Sequence, residues 1–401
     1  AIAVRGHAKP PIARPDLFKE VVVEMTKKHR ENPVTGEGLP KLGTAILVNI
    51  INKAGLFPTR NFRTGVFEGA EKISGETLAD TYLDKKKSIE ESCWGCVITC
   101  ARYSRVPKSP FSGEGGGPEY ETIWAFGAQT GNDSLEAIIK ANFLCNELGL
   151  DTISMGHTIG TLMELVEKGK VPEEALRGLR AEWGRPEAIV ELVWRTAYRS
   201  GIGDDLAEGA WRLANKYGAP EVAMTVRKQE LPAYDPRGAQ GHGLAYATSN
   251  RGGCHLRAYM ISPEVLGVPT LVDRFETRGK GALVKEFQDV FGVIDSMIVC
   301  KFSSFAIWDE DYAKILSAVT GWDVTREEVH TIGERIYNAE RAFNVLSFGD
   351  GEEYDTLPRR LLEEPMPEGP SKGHVVRLSE MLPDYYKARG WVKGRPTRAK
   401  L

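Results

Sequence analysis

Apolar residues recur at helical spacing along most of the chain. A helix is predicted from Pro15 to Arg30: Pro15 stands in its first turn, and Leu17, Phe18, Val21, Val22 and Met25 form one stripe. Residues 31–70 are rich in Gly, Pro and Asn and read as irregular, apart from a short helix over 44–54. Another helix is expected over 74–84. The strongest helical pattern covers 132–148, with Asp133 or Ser134 as its cap. Leu135, Ile138, Ile139, Cys145 and Leu148 make its apolar face, and Gly149 with Leu150 makes a stop. Asp151 or Thr152 caps the following helix, which ends near Gly169.

Further helices are predicted at about 186–199, 204–217, 281–300, 309–319, 325–342 and 377–388, with a turn at Tyr234–Gly238. No convincing alternating strand lies between 130 and 220. Five prolines (358, 365, 367, 370 and 383) predict a tail that runs extended over the surface before the last helix. The expected fold class is mainly α: two largely helical domains with few short strands, one over 13–222 and one over 223–401. The exception is Ala1–Gly6, which lacks an initiator Met and reads as a buried strand ending in a turn. One strand has nothing to pair with. Residues 1–12 are therefore expected to be a remnant strand and linker from a domain that precedes them.

Bulk properties narrow the function classes. With 401 residues, 42% hydrophobic and 27% charged, the chain reads as an ordinary globular protein of two or three domains. A net charge of -3 offers no basic field for nucleic acid and no polybasic membrane patch. No apolar run approaches the ~18 residues of a membrane span, and no signal peptide is visible. Three of the six cysteines are clustered, a usage typical of metal or redox chemistry in a reducing compartment, so the cytoplasm is expected.

The cluster is Cys93-Trp94-Gly95-Cys96-Val97-Ile98-Thr99-Cys100, three thiols in eight residues. Near neighbours make strained disulfides, and three cysteines leave one unpaired. Zinc normally takes two separated ligand pairs. An iron–sulfur cubane takes four thiolates, so the triplet needs a fourth from elsewhere. Zinc and unliganded core cysteine remain as alternatives. Downstream, Ser112–Thr122 holds four glycines followed by Glu119 and Glu121. It lacks the Gly-Lys-Ser/Thr of a phosphate loop and the setting of a dinucleotide fingerprint. It reads either as a flexible loop or as a close backbone approach that delivers a carboxylate to a large cofactor.

Taken in order, several separated motifs make the chain resemble the tungsten-dependent aldehyde:ferredoxin oxidoreductase family. They are Ala1–Gly6, the Cys93/Cys96/Cys100 triplet, Gly117–Thr122, Asn146–Asp151, Asp235–Gly238, Asn250–His255, Asp295 with Cys300, and Arg341–Asn344. The resemblance runs over essentially the whole chain and implies the family's second and third, largely helical domains, without its β-rich base. It implies a [4Fe–4S] cluster beside a tungsten (or molybdenum) atom held by two pterins, with Mg2+ at the pterin phosphates and a homodimer both compatible with it.

Cys300 is then the fourth cluster ligand. Cys145 lies on an apolar helix face, where a free Cys usually acts as a small hydrophobe; Cys254, beside His255, is the competitor. Two D-x-x-G-L-(C/D) segments hold the pterin edges, whose paired N–H donors suit a carboxylate. The first reads Asn146 to Asp151, with Asn replacing the leading Asp; Asp151 is equally a helix N-cap. The second reads Asp295 to Cys300 and contains Val299, with Ile-Val replacing Gly-Leu. Arg257 is implied near the pterin linker. Glu121 is implied as the proton-moving carboxylate, with Glu119 as runner-up, and His255 as the N–H that orients the aldehyde. The bland readings are a solvated loop for the glutamates and a hydrogen-bonded core histidine for His255; His157 and His242 are expected to be structural.

Some relatives carry an E-x-x-H pair for an interfacial metal; Lys140 and Phe143 occupy that region here, so no interfacial iron is expected. The implied activity is oxidation of a small aldehyde to a carboxylic acid with electrons passed to ferredoxin. The alternatives are a pterin-free iron–sulfur electron-transfer or interaction subunit and, more remotely, a zinc-stabilised helical module.

Overall fold

The computed structural model describes residues 3–349 and 351–401. Helices dominate, and the described strands form three two-stranded hairpins, so the mainly α expectation holds. The first helix, Pro15–Glu31, turns Val21, Met25 and His29 inward and ends in Lys28 and Arg30, cations that complement its C-terminal dipole. Leu135–Leu148 starts at Ser134, whose hydroxyl accepts the Ala137 N–H, and stops at Gly149 in the left-handed conformation. Asp151 then caps Thr152–Glu167 through the Ser154 N–H at 2.7 Å. The longest helix, Arg326–Phe348, opens with a reciprocal box: Thr325 accepts the Glu328 N–H while Glu328 accepts the Thr325 N–H.

One apolar cluster runs from Val21 through Trp124, Ile159 and Tyr246 to Tyr385, on both sides of the Thr225–Val226/Gln229–Glu230 hairpin. The carboxy-proximal part is organised by Lys280–Ser296, which packs against Arg326–Phe348 and Leu378–Arg389.

The structure departs from the sequence reading in several places. Residues 3–12 form no strand, and Val4 is exposed; Ala1 and Ile2 lie outside the described residues. An extended apolar segment needs a neighbouring strand, and none is offered to it here. The stretch 34–42, expected to be irregular, forms the short helical pieces Val34–Gly38 and Leu39–Leu42, while the short helix expected over 44–54 is present as Leu47–Lys53. The glycines at 113–116 form a strand paired with Tyr103–Val106, not a free loop. The helix expected over 204–217 is two, Ile202–Leu206 and Ala210–Lys216, broken at Gly209 (φ 85°). Gln240–Thr248, a helix buried on every side, was missed because it has no polar face and so no amphipathic period. The tail does not run over the surface: Leu357, Leu361, Met366 and Val376 are buried, and Arg360 is paired with Glu164 at 2.7 Å. The prolines at 358, 365, 367 and 370 keep helices short without preventing burial of the residues between them, and Pro383 lies inside the Leu378–Arg389 helix.

Candidate active site

The cysteine triplet occupies a loop between Lys85–Glu90 and Tyr103–Val106, and Cys300 follows Lys280–Ser296. All four are free thiols; Cys93 and Cys300 are exposed, Cys96 and Cys100 half-buried. Burial pushes the Cys100 thiol up to about 12, with further upward contributions from Glu119, Cys300 and Cys96. Burial likewise raises Cys300, which also feels Cys96 and Cys93. The four therefore share one electrostatic neighbourhood although 200 residues separate Cys100 from Cys300. No three of the sulfurs lie within 4.8 Å of one another. Ligands of one tetrahedral zinc, at ~2.3 Å, would stand about 3.8 Å apart. A cubane binds each thiolate to a different iron and spreads them wider. Four thiols in one neighbourhood meet the four-thiolate demand of a cubane. Cys145 is buried on its helix, and Cys254 is buried.

Glu121 lies in the first turn of Tyr120–Phe126, and its Oε2 accepts the Ala233 N–H at 2.9 Å. Its Oε1 faces His255 Nε2 at 3.5 Å and has no closer hydrogen-bond partner among the described residues. Their side chains are 16% and 14% exposed, although Glu121 Oε1 itself is buried. Burial, with a smaller push from Asp151, raises Glu121 to about 8. Burial, helped by Arg251, lowers His255 to about 3. At neutral pH the pair is a mostly protonated carboxyl beside a neutral imidazole. Rings wall it in: Tyr234 and Tyr259 lie 5.7 and 6.2 Å from His255 by centroid, and their hydroxyls meet at 3.0 Å. His242 stacks edge-on to Tyr246 at 4.4 Å, and neither of its ring nitrogens has a partner among the described residues.

Glu119 is not brought to His255. It binds the Thr44 hydroxyl, and its charge acts on Cys100 and on Arg102; burial raises its carboxyl. Asn146 is exposed and donates to Gly116 O at 3.3 Å. Asp295 accepts from Lys301 Nζ at 2.9 Å and faces Arg257 Nη1 at 3.5 Å. Arg257 also meets Glu340 at 3.2 Å, while its Nε is unpartnered among the described residues. Val299 is partly buried and donates its N–H to Ile294 O at 3.1 Å. The Asn250–His255 and Arg341–Asn344 motifs meet: Asn344 Nδ2 donates to Asn250 O at 2.7 Å, and Asn250 Nδ2 to Tyr337 O at 3.0 Å. They clamp the loop bearing His255 and Arg257 onto the long helix.

Sequence reasoning missed Tyr234, Tyr259 and Thr44, because isolated aromatics and threonines carry no spacing signal. A cleft of about 400 Å3 beside Asp151, lined by Met155, Thr158, Arg199 and Lys228, includes neither Glu121 nor His255.

Comparison with known proteins places the chain in a family. The sequence model described as aldehyde ferredoxin oxidoreductase, domains 2 and 3, matches residues 20–401. The tungsten-containing aldehyde ferredoxin oxidoreductase of Pyrococcus furiosus is 52% identical over 404 residues, covering 100% of this chain and 66% of the relative. That of Thermococcus kodakarensis is 51% identical over 403 residues, with the same coverage. The chain thus spans 66% of the length of these curated relatives. The active-site complex BamBC of benzoyl coenzyme A reductase, solved with 1,5-dienoyl-CoA, shares the fold (TM-score 0.75, 19% identity, 99% of this chain and 66% of that one). The chain belongs to the aldehyde ferredoxin oxidoreductase family.

Proposed function

We propose that this chain forms the cluster-binding and proton-handling part of an enzyme that oxidises a small aldehyde and passes the electrons to ferredoxin: RCHO + H2O → RCOOH + 2H+ + 2e−. The observation that carries the reading is the Glu121–His255 pair, at 3.5 Å, in the same chain as four neighbouring thiols. A pterin-free electron carrier has no use for such a pair, which argues against that alternative.

A tungsten bis-pterin, when bound, would supply the two-electron redox step. Asp295 offers it a carboxylate, and Arg257 an unpartnered Nε–H. Cys93, Cys96, Cys100 and Cys300 would hold the [4Fe–4S] cluster. Ionised Glu121 takes a proton from water or the hydrated aldehyde, and its position near 8 suits proton exchange close to neutrality. Neutral His255 donates an N–H to the carbonyl oxygen. The ring wall of Tyr234, Tyr259 and Tyr246 limits water around both.

The test is metal analysis and aldehyde-dependent reduction of a viologen dye by the full-length protein. Tungsten or molybdenum alongside iron is expected, with turnover falling about 10²–10⁴-fold in Glu121→Gln. Iron alone in a fully folded preparation, or undiminished turnover in that variant, would refute the reading.

A further inference from the structure

We propose that Glu286, Asp309 and His330 form a second metal site, for one divalent first-row cation of the Zn2+, Mn2+ or Fe2+ type. Their ligand atoms all lie within 4.8 Å of one another, and among the described residues no other group of three His, Cys, Asp or Glu does so. The three come from different helices: Glu286 from Lys280–Ser296, Asp309 from the first turn of Asp309–Thr320, and His330 from Arg326–Phe348. Asp309 is buried, and the other two are half-buried. One imidazole nitrogen and two carboxylates, completed by water, suit such cations and not a soft ion such as Cu+.

The hydrogen bonds leave one ligand unused. Asp309 Oδ2 accepts from His330 Nε2 at 2.9 Å and from Arg326 Nε at 2.7 Å, and its Oδ1 takes the Glu310 N–H at 2.8 Å. Glu286 makes no direct hydrogen bond among the described residues, although a second carboxylate stands beside it; its charge acts through space on Arg326. The adjacent Lys285 is directed to Asp289 at 2.7 Å instead. Among the described residues Arg326 is the one Lys or Arg side chain paired with Asp309, and it is 52% exposed. A divalent ion would neutralise both carboxylates at once, displace Arg326 into solvent and bind His330 through Nε2 as a neutral imidazole carrying its N–H on Nδ1. The result is a staple across three helices, one of which leads into the Asp295–Cys300 segment. The competing reading is a plain salt-bridge network with Arg326 as its permanent cation.

Mn2+ titration followed by electron paramagnetic resonance, on full-length protein with its cluster in place, separates the two. Thiolates compete poorly for Mn2+, and uptake at pterin phosphates cancels in the difference between variants. One saturable Mn2+ per chain is expected to be weakened at least tenfold in Glu286→Gln and in His330→Ala, and tightened in Arg326→Ala, with circular dichroism confirming that each folds. The proposal is overturned if uptake is unchanged in Glu286→Gln and His330→Ala, or if Arg326→Ala binds no more tightly than the unsubstituted protein.

Discussion

Two stretches of this chain stop a helix in the same way and then diverge. In Asn146–Asp151, Gly149 takes the left-handed conformation (φ 71°) and the Leu150 N–H reaches back to Cys145 O at 2.9 Å. In Asp295–Cys300, Ile298 takes the same conformation (φ 57°) and the Val299 N–H reaches back to Ile294 O at 3.1 Å. Register and helix-stopping bond coincide. The first segment keeps the glycine such a turn favours but has Asn in place of the leading Asp; its last residue, Asp151, caps a helix and acts on Glu121. The second keeps the Asp but puts a β-branched residue where glycine is favoured; its last residue, Cys300, lies among the thiols. One backbone device thus leads to two different ends, a carboxylate that acts on Glu121 and a thiol among the other three. Under the proposed function these are proton handling and electron transfer. Each has given up a different part of the shared pattern.

The sharpest way to break this division is the same change at both last positions. Cys300→Ser should remove the fourth thiolate, bleach most of the cluster absorption near 400 nm and abolish aldehyde-dependent dye reduction. Asp151→Ser should leave the cluster spectrum unchanged, since serine replaces aspartate as a cap at little cost. Equal cluster loss in the two variants would sink the distinction.

Next in size are the leading positions. Asp295→Asn exchanges a carboxylate for an amide with one acceptor oxygen, a loss of about 1.5–3 kcal/mol for a charge-assisted contact. Tungsten per chain after gel filtration should need about 10–100-fold more cofactor to saturate. Asn146→Asp should act in the opposite direction or not at all. Weaker loading in Asn146→Asp than in the unsubstituted protein would mean that the first segment does not face a pterin.

A smaller effect should appear in pH profiles. Glu121 works as a base only when ionised, so kcat/KM should rise with pH and level off above about 8. Asp151 contributes to that elevation; Asp151→Asn keeps a good cap and should move the midpoint downward. At pH 7 this raises the ionised fraction, by less than about tenfold from a group titrating near 8. An unmoved midpoint would uncouple the first segment from the proton site.

These segments also mark how far the sequence could be read. Helices with one wet face, such as Pro15–Glu31 and Arg326–Phe348, were legible because period and start signal agree, Pro15 in the first and the Thr325–Glu328 box in the second. Gln240–Thr248 was not, since burial all round removes the alternation that pattern reading needs. The neighbouring thiols and the Glu121–His255 approach join residues more than a hundred positions apart, which spacing alone does not encode; ordered family motifs suggested both. The same motifs left Glu119 as runner-up, and only the fold separates them: two residues apart at a helix start, Glu119 turns to Thr44 and Glu121 to Ala233 and His255.

The smallest effect tests the second segment's backbone. A left-handed conformation costs an L-residue roughly 1–2 kcal/mol, and more for a β-branched one. Ile298 is 93% exposed, so its side chain recovers little of this through burial. Ile298→Gly relieves that strain but gives the unfolded chain extra freedom worth about 0.5–1 kcal/mol. The difference favours the variant by roughly 0.5–1 kcal/mol, readable as a higher denaturant midpoint at unchanged slope. Gly149→Ala is the mirror experiment: no atom lies within 4 Å of the added Cβ, so only backbone strain opposes it, and a destabilisation of about 1 kcal/mol is expected. If Ile298→Gly destabilises instead, exposed Ile298 must be held by contacts absent from this chain, and the two helix stops are alike in shape but not in what sustains them.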